Sequence, residues 1–227
     1  MIEFDAIIFD FDGVLLESEF EANHQLAELL TELGHPHDAA DTIRHYTGLS
    51  GDDFVAAVER RIEARLPPEF HDRMKEKSRQ ALKEGIEAVA GAVEFVRALP
   101  PDLPKAVASS SSTKWIRGHL AHLGLTDAFG EHVYSGHEHV ERGKPAPDIY
   151  LLAAERLGVD IARSVILEDS EVGATGAVAS GATVIGIAAG RHCSDGHADM
   201  LRAKGITHVA HSFDEVARLL GVAQTSR

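Results

Sequence analysis

Six short apolar runs punctuate this chain, and their placement constrains the fold more than any other feature. They are Ala6 to Phe9, Lys105 to Ala108, Ser164 to Leu167, Thr183 to Ile187 and, more weakly, His132 to Tyr134 and His208 to Ala210. Most are β-rich and too short for helices, so they read as buried strands. Helical periodicity fills the gaps from about residue 90 onward. Val93, Val96 and Leu99 share one face, as do Ile116, Leu120 and Leu123. A third helix over 148–157 stops before Gly158, a residue suited to the position after a helix end. Strand and helix in alternation predict an α/β fold: a doubly wound, mostly parallel sheet with helices on both faces.

Residues 18–87 break that alternation and carry no strand signal. Leu26, Leu29, Leu30 and Leu33 form a helical stripe that stops at Gly34. Phe54, Val58, Ile62 and Leu66 recur every four residues until Pro67-Pro68. The expected organisation is an α/β core made of 1–17 and 88–227, with an all-helical insert at 18–87.

A formal net charge of −14 repels phosphate backbones and anionic lipid, so no nucleic-acid or membrane partner is expected. A small anionic substrate stays open, because one metal ion or one lysine reverses the sign locally. The single cysteine, Cys193, excludes an intrachain disulfide and a Cys-rich zinc module. No run approaches the about 18 apolar residues of a membrane span, and MIEFDAIIFD lacks the basic start of a signal peptide. The expectation is a cytoplasmic protein, a monomer or small homo-oligomer.

The first strand ends in Phe9-Asp10-Phe11-Asp12-Gly13. Ligands of open parallel sheets sit at the carboxyl ends of strands, and carboxylates two residues apart can both face that crevice. Unpartnered buried carboxylates are costly, so such a pair holds a cation or moves a proton. Gly13 lets the backbone turn closely. The competing reading is a plain strand-to-turn connection, since Asp and Gly are common in turns. Two further strands end in polar groups, at Ser109 and at Glu168-Asp169-Ser170. So many acids at one site suit a hard divalent cation such as Mg²⁺. Ser170 also suits the N-cap of the next helix. In Arg142-Gly143-Lys144-Pro145-Ala146-Pro147-Asp148 two prolines fix the loop and begin a helix, which holds the Lys144 ammonium at a defined place.

This ordered set, Asp10-x-Asp12-Gly13, Ser109, Lys144 in GKPAPD and Glu168-Asp169, resembles the haloacid dehalogenase superfamily over nearly the whole chain. The insert is similar to the helical cap of the branch that includes β-phosphoglucomutase and phosphosugar phosphatases. The resemblance implies an Mg²⁺-dependent phosphatase acting on a small phosphorylated metabolite, a sugar or sugar-acid monophosphate. Asp10 would be the nucleophile and Asp12 the general acid and base. Ser109 and Lys144 would hold phosphoryl oxygens. Gly13, Ser110 and, in the insert, Gly48 would contact substrate. Asp10, Asp12 through its carbonyl, Glu168 and Asp169 would hold the metal. The alternatives are a mutase and a catalytically inactive binding protein on the same scaffold. The mutase is disfavoured because Tyr46 to Asp53 contains no Lys or Arg to grip a second phosphate, and Ala22 stands where the mutase carries histidine. A further departure is Glu17-Ser18, where the family often has Asp-Ser.

The fourteen histidines follow no tight metal-binding helix spacing, so no zinc site is expected from them. His137 is the one nearest the lysine loop. Cys193 reads as a bystander thiol. Gly173, Gly176 and Gly181 read as permitting close helix packing rather than as a dinucleotide fingerprint.

Overall fold

The structure, a computed structural model, describes residues 2–46, 49 and 51–222. The chain divides into two compact units, Met1–Glu17 with Gly85–Arg227, and Ser18–Glu84. In chain order the elements are β1 (Ala6–Phe9), α1 (Ser18–Glu32), α2 (Ala39–Tyr46), α3 (Gly51–Ile62), α4 (Phe70–Glu84), α5 (Ala92–Ala98), β2 (Lys105–Ser109), α6 (Thr113–His122), α7 (Thr126–Phe129) and β3 (Val133–Ser135). They continue with α8 (Asp148–Leu157), β4 (Ser164–Glu168), α9 (Glu171–Ser180), β5 (Thr183–Ile187), α10 (His197–Ala203), β6 (His208–Ala210) and α11 (Phe213–Leu220). No helix among the described residues is long and apolar enough to cross a membrane.

The strands form one parallel sheet in the order β3-β2-β1-β4-β5-β6. Successive strands run outward from β1 to β3 on one side and from β4 to β6 on the other. The order therefore reverses between β1 and β4, and the carboxyl ends of those two strands mark the ligand crevice of such a sheet. Ile8 sits opposite Ala106 of β2 and Ile166 of β4. All three are buried in one core with Ile149, Tyr150 and Ala153 of α8. Strands β2 and β4 run one residue past their apolar stretches. Ser109 still pairs with Ser135, and Glu168 with Gly186, so polar residues complete the ladder at the end where the crevice opens.

Serine hydroxyls start three of the helices in this unit. Ser112 accepts from Trp115 N–H at 3.3 Å, Ser170 from Gly173 N–H at 3.0 Å and Ser212 from Glu215 N–H at 3.2 Å. Gly158, with φ 72°, closes α8 in the left-handed region that favours glycine.

The helical unit has its own core of Leu26, Leu29, Leu30, Tyr46, Val58 and Phe70, with Leu33, Phe54, Ile62 and Leu66 packed against it. Its stripe overran the helix. Glu63 turns to φ 53°, α3 ends at Ile62, and Leu66 reaches the core from outside the helix while its N–H donates to Glu59 Oε1 at 3.0 Å. The chain rejoins the first unit at Gly85, ahead of the expected residue 88. Backbone bonds tie the returning segment to the outgoing one: Glu17 N–H donates to Glu87 O at 2.9 Å and Val89 N–H to Leu15 O at 3.1 Å.

Candidate active site

Alternation along β1 and the turn after it sends Phe9 and Phe11 into the core, where both are fully buried. Phe9 packs edge-on against Phe95 and Phe129. Asp10 is 5% exposed. Its Oδ1 accepts from Lys144 Nζ at 2.6 Å, and the same ammonium donates to Glu168 Oε2 at 2.8 Å. The lysine loop is braced by Arg142, whose guanidinium makes two bonds to Asp148, at 3.0 and 2.9 Å. That fork spans the loop that carries Lys144.

Both oxygens of Glu168 are occupied. Oε2 accepts from Lys144 and from Tyr150 Oη at 2.5 Å. Oε1 accepts from Asp169 N–H, Ser170 N–H and Ser170 Oγ at 3.1, 2.9 and 2.8 Å. Gly173 makes room for this arrangement, because a Cβ there would lie 2.1 Å from the Glu168 carboxyl. Gly176 does the same for the lysine loop, its Cβ position being 2.9 Å from Ala146 O. Gly181 has a different job: with φ 87° it ends α9.

Asp169 is 3% exposed and lies 2.9 Å from His192 Nε2 through Oδ2. Gly13 sits directly beneath it at φ 79°; a Cβ there would come within 2.0 Å of Asp169 Oδ2. The strain and the clash both demand glycine at this position. Glu17 is buried at the start of the helical excursion and accepts from Arg191 N–H at 3.2 and 3.0 Å. The longer side chain at this departure from the family pattern thus ties down the loop that carries His192.

Asp12 is held by a separate set of donors. Ser111 Oγ and Ser109 Oγ donate to Oδ2 at 2.5 and 3.3 Å, and Trp115 Nε1–H donates to Oδ1 at 3.0 Å. Trp115 in turn packs edge-on over the fully buried His119, ring centroids 4.3 Å apart.

Electrostatics follow from crowding out of water. Burial, then the neighbouring charge of Glu168, raises Asp10 well above the usual carboxylate range despite Lys144. Burial alone would push Lys144 down, but Asp10 and Glu168 overcome it and hold the lysine well above its ordinary value. Glu168 is also buried, yet the Lys144 charge and its bonds hold it below the usual range. Burial and then Glu168 push the Tyr150 phenol well up.

The structure therefore brings Asp10, Asp12, Ser109, Lys144, Glu168 and Asp169 to the sheet end, with Gly13 beneath Asp169. Ser110 is exposed, and it is Ser111 that joins Ser109 in reaching Asp12. Gly48 lies outside the described residues. His137 is exposed. Tyr150, Trp115 and His192 were missed by sequence reasoning. Tyr150 and Trp115 sit in amphipathic helices where an aromatic reads as core, and His192 sits in a loop with no spacing motif.

Asp10, Glu168 and Asp169 offer carboxylate oxygens within 4.8 Å of one another. An all-oxygen, acidic, buried set fits a hard cation of the Mg²⁺ kind. The elevated Asp10 agrees, since a cation would supply the positive charge that the crowded carboxylates lack. Glu168 enters that set with both oxygens already bonded, to five donors in all.

A family model described as haloacid dehalogenase-like hydrolase matches residues 4–181. The fructose-1-phosphate phosphatase YqaB of Escherichia coli (strain K12) is 32% identical over 185 residues, covering 80% of this chain and 95% of the relative. The hexitol phosphatase A of the same organism is 29% identical over 220 residues, covering 92% and 91%. Among solved structures, a HAD family hydrolase from Deinococcus radiodurans R1 with bound phosphate and sodium superposes with a TM-score of 0.84 at 34% identity, covering 96% of each chain.

Proposed function

The chain belongs to the haloacid dehalogenase-like hydrolase family, and from that premise we propose an Mg²⁺-dependent phosphatase of a small phosphorylated metabolite, a sugar or sugar-acid monophosphate. The observation that carries the reading is the buried Asp10–Lys144–Glu168 contact at the sheet's reversal point, beside Asp169 and an Asp12 held by its own donors. The sugar class is supported by the relatives named as a fructose-1-phosphate phosphatase and a hexitol phosphatase.

In the proposed reaction an Asp10 carboxylate oxygen attacks phosphorus in line. The P–O bond to the substrate alcohol breaks, and Asp12 gives its proton to the departing oxygen. Asp12 then takes a proton from water as that water attacks the aspartyl-phosphate, which frees phosphate and restores Asp10. Ser109 and Lys144 hold the non-bridging oxygens, with Gly13 and Ser110 lining the approach. Trp115 and Ser111 keep Asp12 aimed. Asp10, the Asp12 carbonyl and Asp169 would hold Mg²⁺, with Glu168 through water. When bound, that ion neutralises phosphoryl charge. Positioning and charge neutralisation carry the rest of the rate.

The helical unit is assigned to substrate selection, and Gly48 to substrate contact. Its loop at 46–53 has no Lys or Arg for a second phosphate, which favours hydrolysis over transfer within the substrate. The test is turnover of p-nitrophenyl phosphate and a panel of sugar phosphates with and without Mg²⁺, for the native chain and Asp10→Asn. Metal-dependent phosphate release that vanishes in the variant is expected. Turnover by Asp10→Asn would remove the nucleophile assignment, and no turnover of any substrate would favour a binding protein. Glucose 6-phosphate appearing faster than free phosphate from primed β-glucose 1-phosphate would favour the mutase.

A further inference from the structure

Beyond the carboxylates lies a second cluster. Arg191 to His197 brings His192, Cys193 and His197 together, each offering one ligand atom, all within 4.8 Å of one another. Three features give this cluster the chemistry of a metal site. Cys193 Sγ lies 3.5 Å from His192 Nε2. Tetrahedral zinc with Zn–S near 2.3 Å and Zn–N near 2.0–2.1 Å separates sulfur and nitrogen by about 3.5 Å. Next, the orientation of His192 is set by packing. A Cβ at Gly190 would lie 2.6 Å from its Cε1 and Nδ1, so that edge is pressed against backbone and Nε2 faces the other groups. Finally, His197 Nε2 is a buried nitrogen with no hydrogen-bond partner among the described residues. A buried ring nitrogen left unsatisfied is costly, and a metal ion is one group that satisfies it. The two imidazoles meet edge to face, centroids 5.5 Å apart.

We propose that His192, Cys193 and His197 form a second metal site, for a borderline divalent ion of the Zn²⁺ class. Two imidazoles and a thiolate select against Mg²⁺, which prefers oxygen, and favour zinc and its neighbours. Three protein ligands leave a fourth tetrahedral position for water. The site is coupled to the carboxylates through one atom. His192 Nε2 lies on Asp169 Oδ2, and a ring nitrogen that ligates an ion no longer donates to a carboxylate. Occupation therefore takes His192 from Asp169. This consequence, inhibition of the Mg²⁺-dependent reaction by zinc, rests on the function proposed above; the site itself does not.

The experiment is a Co²⁺ titration of the full chain in excess Mg²⁺, followed by absorption. Cys193 is the only cysteine, so any thiolate-to-cobalt band reports this position alone. The expected result is a thiolate band with tetrahedral visible bands, saturating near a single ion per chain. Cys193→Ser abolishes the thiolate band, and His197→Ala weakens cobalt binding by at least about tenfold, with circular dichroism confirming that both variants fold. Absence of the band in the folded native chain, or unchanged affinity in His197→Ala, overturns the site. In a second arm, Zn²⁺ inhibits Mg²⁺-dependent turnover of the native chain and is at least about tenfold weaker against Cys193→Ser. Equal inhibition of both overturns the coupling. Absence of any turnover overturns the phosphatase reading and leaves the cobalt band to judge the site.

Discussion

The indole N–H of Trp115 donates to Asp12 Oδ1 at 3.0 Å, joining the first turn of α6 to the loop that follows β1. Ser111 and Ser109 approach the other oxygen, so Asp12 is fixed on both sides. Two of these donors, Trp115 and Ser111, touch no substrate in the proposed reaction. Trp115→Phe keeps an aromatic ring at this position and deletes the donor. We expect kcat to fall by about tenfold, the cost of one lost hydrogen bond, with KM little changed. An unchanged kcat would show that the serines suffice.

Gly173→Ala places a methyl group 2.1 Å from the Glu168 carboxyl. That carboxyl cannot swing away cheaply, since Lys144, Tyr150 and Ser170 all bond to it. The expected cost is about 2–3 kcal/mol of stability, read by urea denaturation, together with loss of turnover. Native-like stability and activity would mean that Glu168 has freedom this geometry denies it.

Removal of metal provides another check. Mg²⁺ at roughly a hundred times its dissociation constant is expected to stabilise the folded chain by about 2.7 kcal/mol. Thermal melts with EDTA and with Mg²⁺ measure the difference. Asp169→Asn removes a charged oxygen from the set and is expected to abolish most of the gain. A gain that persists undiminished in this variant would place the cation elsewhere.

His119 predicts a pH effect on stability. Burial pushes its imidazole from the ordinary 6.5 to about 4, with Asp12 opposing the shift too weakly to restore it. The folded form therefore holds the ring neutral while the unfolded chain binds a proton. This contribution is intact above pH 6.5 and is lost as pH falls toward 4. Between about pH 7.5 and about pH 5 the native chain should lose roughly 2 kcal/mol more than His119→Leu. Parallel losses in both chains would contradict the shift.

Much of the architecture was legible in the residues. Ala6–Phe9 and Thr183–Ile187 are strands with the limits their apolar runs predict, because sheet pairing rewards such runs wherever they are buried. Three elements ended elsewhere where a polar group found a partner. Ser109 and Glu168 prolong their strands by ladder pairing, and Glu59 captures the Leu66 N–H beyond the end of α3. Spacing along the chain does not reveal bonds of that kind.

The acids and serine at the strand ends and the lysine of the loop before α8 were identifiable from sequence because each interrupts an apolar run or stands just ahead of two prolines, where a polar group has few structural excuses. What sequence could not decide was partnership. Lys144 is 134 residues from Asp10 and Trp115 is 103 from Asp12, and only the assembled sheet makes them neighbours. His192 and Tyr150 look ordinary in isolation; they acquire meaning from standing beside Asp169 and Glu168 in a volume from which water is excluded. Local composition determined which groups could do chemistry. The tertiary fold decided which oxygen each would face, because burial makes every such contact strong and every missing one costly.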